Sequence, residues 1–526
     1  MIARAAALCA TLAVAAGGVA VASRLPGAVA TGDAAAGEFP TRLGIPAATA
    51  TLACPGREMS ITPDGGTPVP AVGPFALTVV AAGADSRRAR LVPLAGGTDG
   101  LGLLGRTDGP RVLARDGDPA GPLRIEATPS GAGPTRLSGV QTTLARNGDL
   151  RGLTAGVCPL ATTDAWLVGG GTVAGRRERL LLANPTPAAA VVDVLVAGPS
   201  GAVDVPAGRG LVVAPGRVRA VQLDALAPGL DRLAVRVVAR RGRIAPLLHD
   251  SYLEGADAAG VDDVSVSAPA ARSLVVPGIL VPARVRGVSV SPVLRLVAPG
   301  ADDAVVRVHL VGPGGSVLLA GGGVVTVPAG GVVDVPLPGL APGGYAAFAD
   351  ADVPVVAGAQ VTSTGPATGP TSARRADIGW VAAEPALRGD VVAALPRPID
   401  SRQSVVTRPL GTVRLTLTGG GQGADVAVRQ TGPDGRALRQ SAVHVPAHRT
   451  VVVPIGPAAV ALVLSVRDGQ QVWGGIGVQV DDPAGPLLTL LSLAPSASAA
   501  QDAPVAVADP WLTGPAGPRT HSSSVP

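Results

Sequence analysis

At 526 residues the chain has length for several domains, and with 47% hydrophobic and 15% charged residues it lacks the composition of a disordered polypeptide. Its net charge is only +5 and its basic residues fall in short pairs such as Arg87-Arg88 and Arg240-Arg241; with aromatics at 2%, this argues against nucleic-acid binding, which needs clustered cations beside aromatic platforms. Frequent Gly and Pro exclude long helices beyond the N-terminus, so the cores must be built from Val, Leu, Ile and Ala, residues that suit strands.

Arg4 opens an apolar run from Ala5 to Ala22 that is closed by Ser23-Arg24. The pattern predicts a hydrophobic helix over 1–24 that serves as a secretory signal, with Ala20-Val21-Ala22 and Ala28-Val29-Ala30 as cleavage motifs. The run also reaches the lower length limit of a membrane span, so a cleaved signal and an uncleaved anchor are both open. Residues 25–52, rich in Ala, Gly, Pro and Thr, read as a linker. A degenerate β-domain follows at 53–165, bracketed by Cys54 and Cys158. These are the two cysteines left after the signal region, and in an exported chain they predict a disulfide; two free core thiols are the competing reading.

From Trp166 to Pro495 the chain repeats itself. Asn184-Pro185 falls on Ala298-Pro299, and Val192, Val194 and Val196 fall on Val306, Val308 and Leu310. In the same ungapped register G-P-S-G at 198–201 falls on G-P-G-G at 312–315, and Val221 and Leu223 fall on Val335 and Leu337. A third copy places Val426, Val428 and G-P-D-G at 432–435 on the same landmarks. A fourth, weaker copy lies at 80–91. The apolar residues alternate, as strands do, and Gly-Pro pairs mark turns. A period of roughly 115 residues is too long for a propeller blade or a solenoid coil and suits one β-sandwich. The expected fold is therefore all-β: tandem immunoglobulin-like antiparallel sandwiches at 166–275, 276–390 and 391–495. Residues 256–276 and 362–404 read as irregular connections, and 496–526 as a disordered tail.

Residues with catalytic potential are few. His444 and His448 are four apart, but V-H-V-P-A-H reads as a strand entering a turn, which separates them. His249-Asp250-Ser251 holds the residue types of a hydrolytic triad, yet adjacency in a chain is not triad geometry. The triple glycines at 169–171, 321–323 and 419–421 lack the following Lys-Ser/Thr of a phosphate loop. The acidic pairs Asp262-Asp263, Asp302-Asp303 and Asp481-Asp482 read as solvated turn carboxylates rather than calcium ligands. No catalytic residue, cofactor or metal site is expected.

The C-P near the first unit, L-x-x-A-N-P, G-P-x-G, V-P-A-G, L-A-P-G and V-V-A-G together resemble a family of exported actinobacterial proteins known as a domain of unknown function, over about residues 50–495. The resemblance implies an envelope location and carries no activity or site. The expected role is a non-enzymatic scaffold or binding protein of the cell envelope, secreted or held by one N-terminal anchor, with an envelope protein or polymer as partner. The alternative is a glycan-binding or carbohydrate-active envelope protein. Exposure of Trp166, Trp380 or Trp473 on a concave face beside carboxylates would favour the alternative, and burial of all three the scaffold.

Overall fold

The computed structural model describes residues 50–499, apart from 57–58, 61–68, 71–73, 84–85, 97–108, 117–120, 129–134, 318, 367–373 and 400–410. The hydrophobic segment 1–24, most of the linker, His521 and the tail beyond 499 lie outside the described residues. Among those residues the chain is all-β and its sheets are antiparallel.

The alternation read from the sequence is the alternation of burial. In Ala304–Gly312, Val306, Val308 and Leu310 are buried while Val305 and Arg307 are exposed. One pairing scheme recurs in four stretches. In the second stretch Ala190–Gly198 lies between the hairpin strand Gly201–Val203 and Ala234–Arg241, which pairs in turn with Asp164–Val168. The companion sheet runs Val218–Gln222, Arg176–Ala183, Ala245–Glu254, Asp257–Val264. Both sheets feed one apolar cluster, Val192, Val194 and Val235 from the first, Leu180, Leu182 and Leu248 from the second.

The third stretch has the same two orders, with one economy. The 22-residue strand Gly343–Thr364 serves both sheets: its first part pairs with Ala304–Gly312 and Ala271–Val281, its second with Ser289–Val297 and Ala376–Ala382. In the fourth stretch the orders are Ala437–Val445, Ala424–Thr431, Ala461–Val466, Gly389–Ala394 and Thr450–Ile455, Thr412–Gly419, Val472–Val480, Leu487–Leu493. The first stretch follows suit with Arg90–Pro93, Leu123–Ala127, Ala50–Cys54 and Arg111–Asp116, Phe75–Ala82, Thr135–Ala145, Gly152–Val157. The G-P-x-G segments form the equivalent turn each time. Gly201, Gly315 and Gly435 have φ of 122°, 106° and 78°, a region that a side chain disfavours.

Several boundaries differ from the sequence reading. The stretches 256–276 and 362–404 are not irregular throughout, since Asp257–Val264, Ala271–Val281, Ala376–Ala382 and Gly389–Ala394 are strands within them. Their Gly, Asp and Pro content hid strands buried against neighbouring units. The first strand starts at Ala50, inside the expected linker, and Ala497–Ala499, inside the expected tail, pairs with Thr135, Arg136 and Leu137 of the first stretch.

The four units do not form a row. The last strands of the units, Gly152–Val157, Asp257–Val264, Ala376–Ala382 and Leu487–Leu493, pack in a cycle: first on second, second on third, third on fourth, and fourth back on first. The first unit also joins the fourth unit's apolar cluster through Val140, Leu144 and Leu153. Backbones touch where third and fourth units meet: a Cβ on Gly475 would lie 2.3 Å from the Cα of Gly278.

Candidate functional site

The centre of the cycle is polar. Asp377, on the third unit's last strand, has no exposed surface. Its Oδ2 accepts the backbone N–H of Leu153 at 3.1 Å and of Leu488 at 2.9 Å, and its Oδ1 accepts that of Val261 at 3.3 Å. The donors belong to the first, fourth and second units. Asp262, on the second unit's last strand, does the reciprocal work. Its Oδ1 accepts Ala155 N–H at 3.3 Å and the Thr489 hydroxyl at 2.8 Å, and its Oδ2 accepts Trp380 N–H at 2.7 Å. Each carboxylate therefore ties its own unit to the other three. Burial pushes both carboxyls up, Asp377 to about 7 and Asp262 well above the carboxylate range, against the pull of their N–H donors.

A second network lies beside it. Arg176 forks onto Asp250 through Nε at 2.8 Å and Nη2 at 2.5 Å, and approaches Glu178 at 3.2 Å. Although burial alone would raise Asp250, the Arg176 guanidinium holds it below its ordinary value. Glu178 is pushed well up by burial and by the neighbouring Asp250 charge. Asp250 also accepts the Trp380 indole N–H at 2.8 Å. Arg295 lies 5.2 Å from the Trp380 ring centroid, forks onto Asp334, and donates to the carbonyls of Gly170 and Leu233 in the second unit. Arg151, 1% exposed, holds the first unit to the fourth through Asp482 at 2.9 Å and the Gly485 carbonyl at 2.7 Å.

The residues singled out from the sequence fall mostly elsewhere. Asp262 and Asp263 are not solvated turn carboxylates but buried strand residues. Burial of Asp262 is tolerable because the four-unit packing supplies donors that one unit lacks, and Asp263 has His249 of its own unit. Asp302 and Asp303 are exposed in a turn, and Asp482 is the Arg151 partner. His249, Asp250 and Ser251 alternate along Ala245–Glu254, which separates them: Asp250 faces Arg176, whereas His249 Nδ1 meets Asp263 at 2.8 Å and Ser251 donates to the Arg177 carbonyl. His249 and Asp263 line a cavity of about 40 Å³ with Gln141 and Thr154, room for a few waters. The exposed His444 meets the half-buried Asp425 at 2.8 Å, while His448 lies in the turn beyond with φ 51°. His309 stacks on Phe348, which meets Trp473 edge-on. Among the described residues no group of three or more His, Cys, Asp or Glu could hold a metal, and no helix is long and apolar enough to cross a membrane. Cys54 and Cys158 are bonded, joining the end of one edge strand to the residue after the first unit's last strand.

Sequence reasoning missed Asp377, Glu178, Arg151 and Arg295. The available signal was a charged residue on an apolar strand, as in A-D-I-G-W-V-A at 376–382. The motif L-x-x-A-N-P has a local explanation. Asn184 is fully buried, donates through Nδ2 to the carbonyls of Ala188 at 2.8 Å and Val213 at 2.9 Å, and accepts Thr186 N–H at 3.0 Å. Asn184→Ala should lower stability by about 2–3 kcal/mol, because two carbonyls lose their donor. Urea unfolding at neutral pH checks it, and a midpoint within error of the parent would mean the turn holds itself.

The tryptophans divide. Trp380 is 3% exposed. Trp473 is half-buried against Phe348. Trp166 is half-buried at the wall of a cleft of about 550 Å³ between the second and third units, beside Asp164 and Asp302. That volume lies in the ordinary range for small-ligand sites, and junctions between domains are where such sites concentrate.

No curated protein and no solved structure matches the chain. A family model matches residues 112–456, from the first unit into the fourth, a span that contains Asn184, the G-P-x-G turns, Asp262 and Asp377. The chain belongs to this family of unknown function, DUF5719.

Proposed function

We propose that this chain is an exported, non-catalytic scaffold or binding protein of the cell envelope. The observation behind this reading is the use made of its ionisable groups. Asp262, Asp377, Asp250 and Arg151 direct their polar atoms at backbone groups or charges of neighbouring strands and units, which is the work of joints. A body locked in this way presents its outer turns on a rigid frame, the arrangement through which loops carry binding. The four units are read as immunoglobulin-like sandwiches in tandem, folded back on one another. The Cys54–Cys158 bond supports an oxidising, extracytoplasmic location. The partner is an envelope protein or polymer, not nucleic acid, and the N-terminal segment is a cleaved signal or a single anchor.

Crosslinking in intact cells that express the full chain, followed by mass spectrometry and by fractionation, tests the proposal. The expected result is an extracytoplasmic, disulfide-bonded protein that captures an envelope component. Recovery mainly in the cytosol with both thiols free rejects export. Turnover of an envelope glycan by the purified protein, abolished by changing one carboxylate, rejects the non-catalytic reading. A second reading, glycan binding, is favoured by one observation: Trp166 stands beside carboxylates at a cleft.

A further inference from the structure

The cleft at Trp166 follows from strand alternation. On Asp164–Val168, Leu167 turns inward to the second unit's core, so Asp164, Trp166 and Val168 share the outer face. Arg236 pairs directly across from Trp166 and shares that face. The lower half of the face packs on the third unit: Val168 and Ala234 meet Val297, Val332 and Val356. The upper half, with Asp164, Arg236 and the side of Trp166, remains as one wall. The third unit supplies the other wall from the turn at Pro299 and Asp302 and from Pro354 on the strand Gly343–Thr364.

The charges on these walls restrict the ligand. Arg236 forks onto Asp164 at 3.0 and 2.6 Å, so the two present hydrogen-bonding edges with little net charge. The guanidinium also lies over the Trp166 ring, 5.8 Å from its centroid. That face is thus closed to a cationic ligand, which would meet Arg236 in place of the ring. Asp302 is exposed and has no hydrogen-bond or ion-pair partner among the described residues; it faces an incoming anion with a second carboxylate. A neutralised pair with hydrogen-bonding edges, one free acceptor and an apolar proline wall suit an uncharged molecule with many hydroxyls and an apolar C–H face. The hydroxyls would meet Asp164, Arg236 and Asp302, and the C–H face would meet Pro299 and Pro354. The geometry points to this cleft as a binding site for a neutral saccharide unit, an inference that rests on the glycan-binding reading.

The test uses the full chain against immobilised neutral hexose and pentose oligomers, uronate-bearing and amine-bearing oligomers, and a proline-rich decapeptide. The neutral oligomers should be retained selectively, with affinity falling at least tenfold in Asp302→Ala, which removes a direct acceptor, and in Trp166→Ala, which removes the ring that seats Arg236. Asp302→Ala changes an exposed, unpartnered side chain, so it reads the site even if Trp166→Ala disturbs the second unit; near-UV circular dichroism monitors folding. Neutral oligomers bound equally by the parent and both folded variants would overturn the site and leave glycan binding standing at another place. No saccharide retained by folded parent would overturn both. Preference for charged oligomers or for the decapeptide would overturn the assigned ligand class.

Discussion

Asp377→Ala is expected to lower stability by about 3–5 kcal/mol, because three backbone N–H groups on three different units lose their acceptor in a site closed to water. Chemical denaturation at pH 5 measures it. Since the acceptor joins separate units, the variant's transition should also broaden or split as the first unit loosens, whereas the parent unfolds as one body. An unchanged midpoint and slope would mean that the packing of the last strands suffices without the carboxylate.

The same residue sets a pH dependence whose sign can be worked out. Burial raises the folded Asp377 carboxyl from 3.8 to about 7, so the folded protein binds this proton more tightly than the unfolded chain does. The corresponding stabilisation is complete below about pH 4 and is lost as pH rises through 7. A shift of about 3 units corresponds to about 4 kcal/mol. Asp262 and Glu178 are raised as well and act in the same direction, and Arg151 is the cation whose field opposes the shift of Asp377. Asp250 and Asp482, held low by their arginines after burial is outweighed, contribute stability that is lost only in acid. The parent should therefore be less stable at pH 8.5 than at pH 5, and Asp377→Asn should flatten that difference. A parent that gains stability between those values would contradict the assignment.

Breaking the disulfide should have an effect of similar size. The bonded cysteines are 104 positions apart, and closing a loop of that length is worth about 4.7 kcal/mol in the chain-entropy model. Cys54→Ser/Cys158→Ser should cost about 2–5 kcal/mol. The loss should concentrate in the first unit, whose apolar cluster is, among the described residues, the smallest of the four major ones and contains both cysteines. Hydrogen exchange checks this: protection should fall first in Ala50–Cys54 and Leu123–Ala127. Uniform loss across all four units would instead show that the central cycle spreads the damage.

The sequence by itself determined the strands and turns that local chemistry controls. Val306, Val308 and Leu310 announce a strand because alternation follows from the backbone's two-residue period. G-P-x-G announces a turn because Gly at positive φ and Pro at fixed φ leave the chain few choices. The 114-residue register between copies followed from these, as did the pairing of Cys54 with Cys158, since no other partner remained after the signal region. Only the tertiary structure decided how the units meet. Asp262 and Asp377 look like ordinary polar residues, and they become central joints because their donors, Ala155, Leu153, Trp380 and Leu488, lie more than a hundred residues away and in other units. The strands hidden in 256–276 and 362–404 were illegible for a related reason: Asp257–Val264 and Ala376–Ala382 pair with the strands just before them but are packed over by other units, and Ala271–Val281 and Gly389–Ala394 pair with strands far along the chain. The cleft at Trp166 is likewise a product of two walls from different units, and no window of sequence contains both.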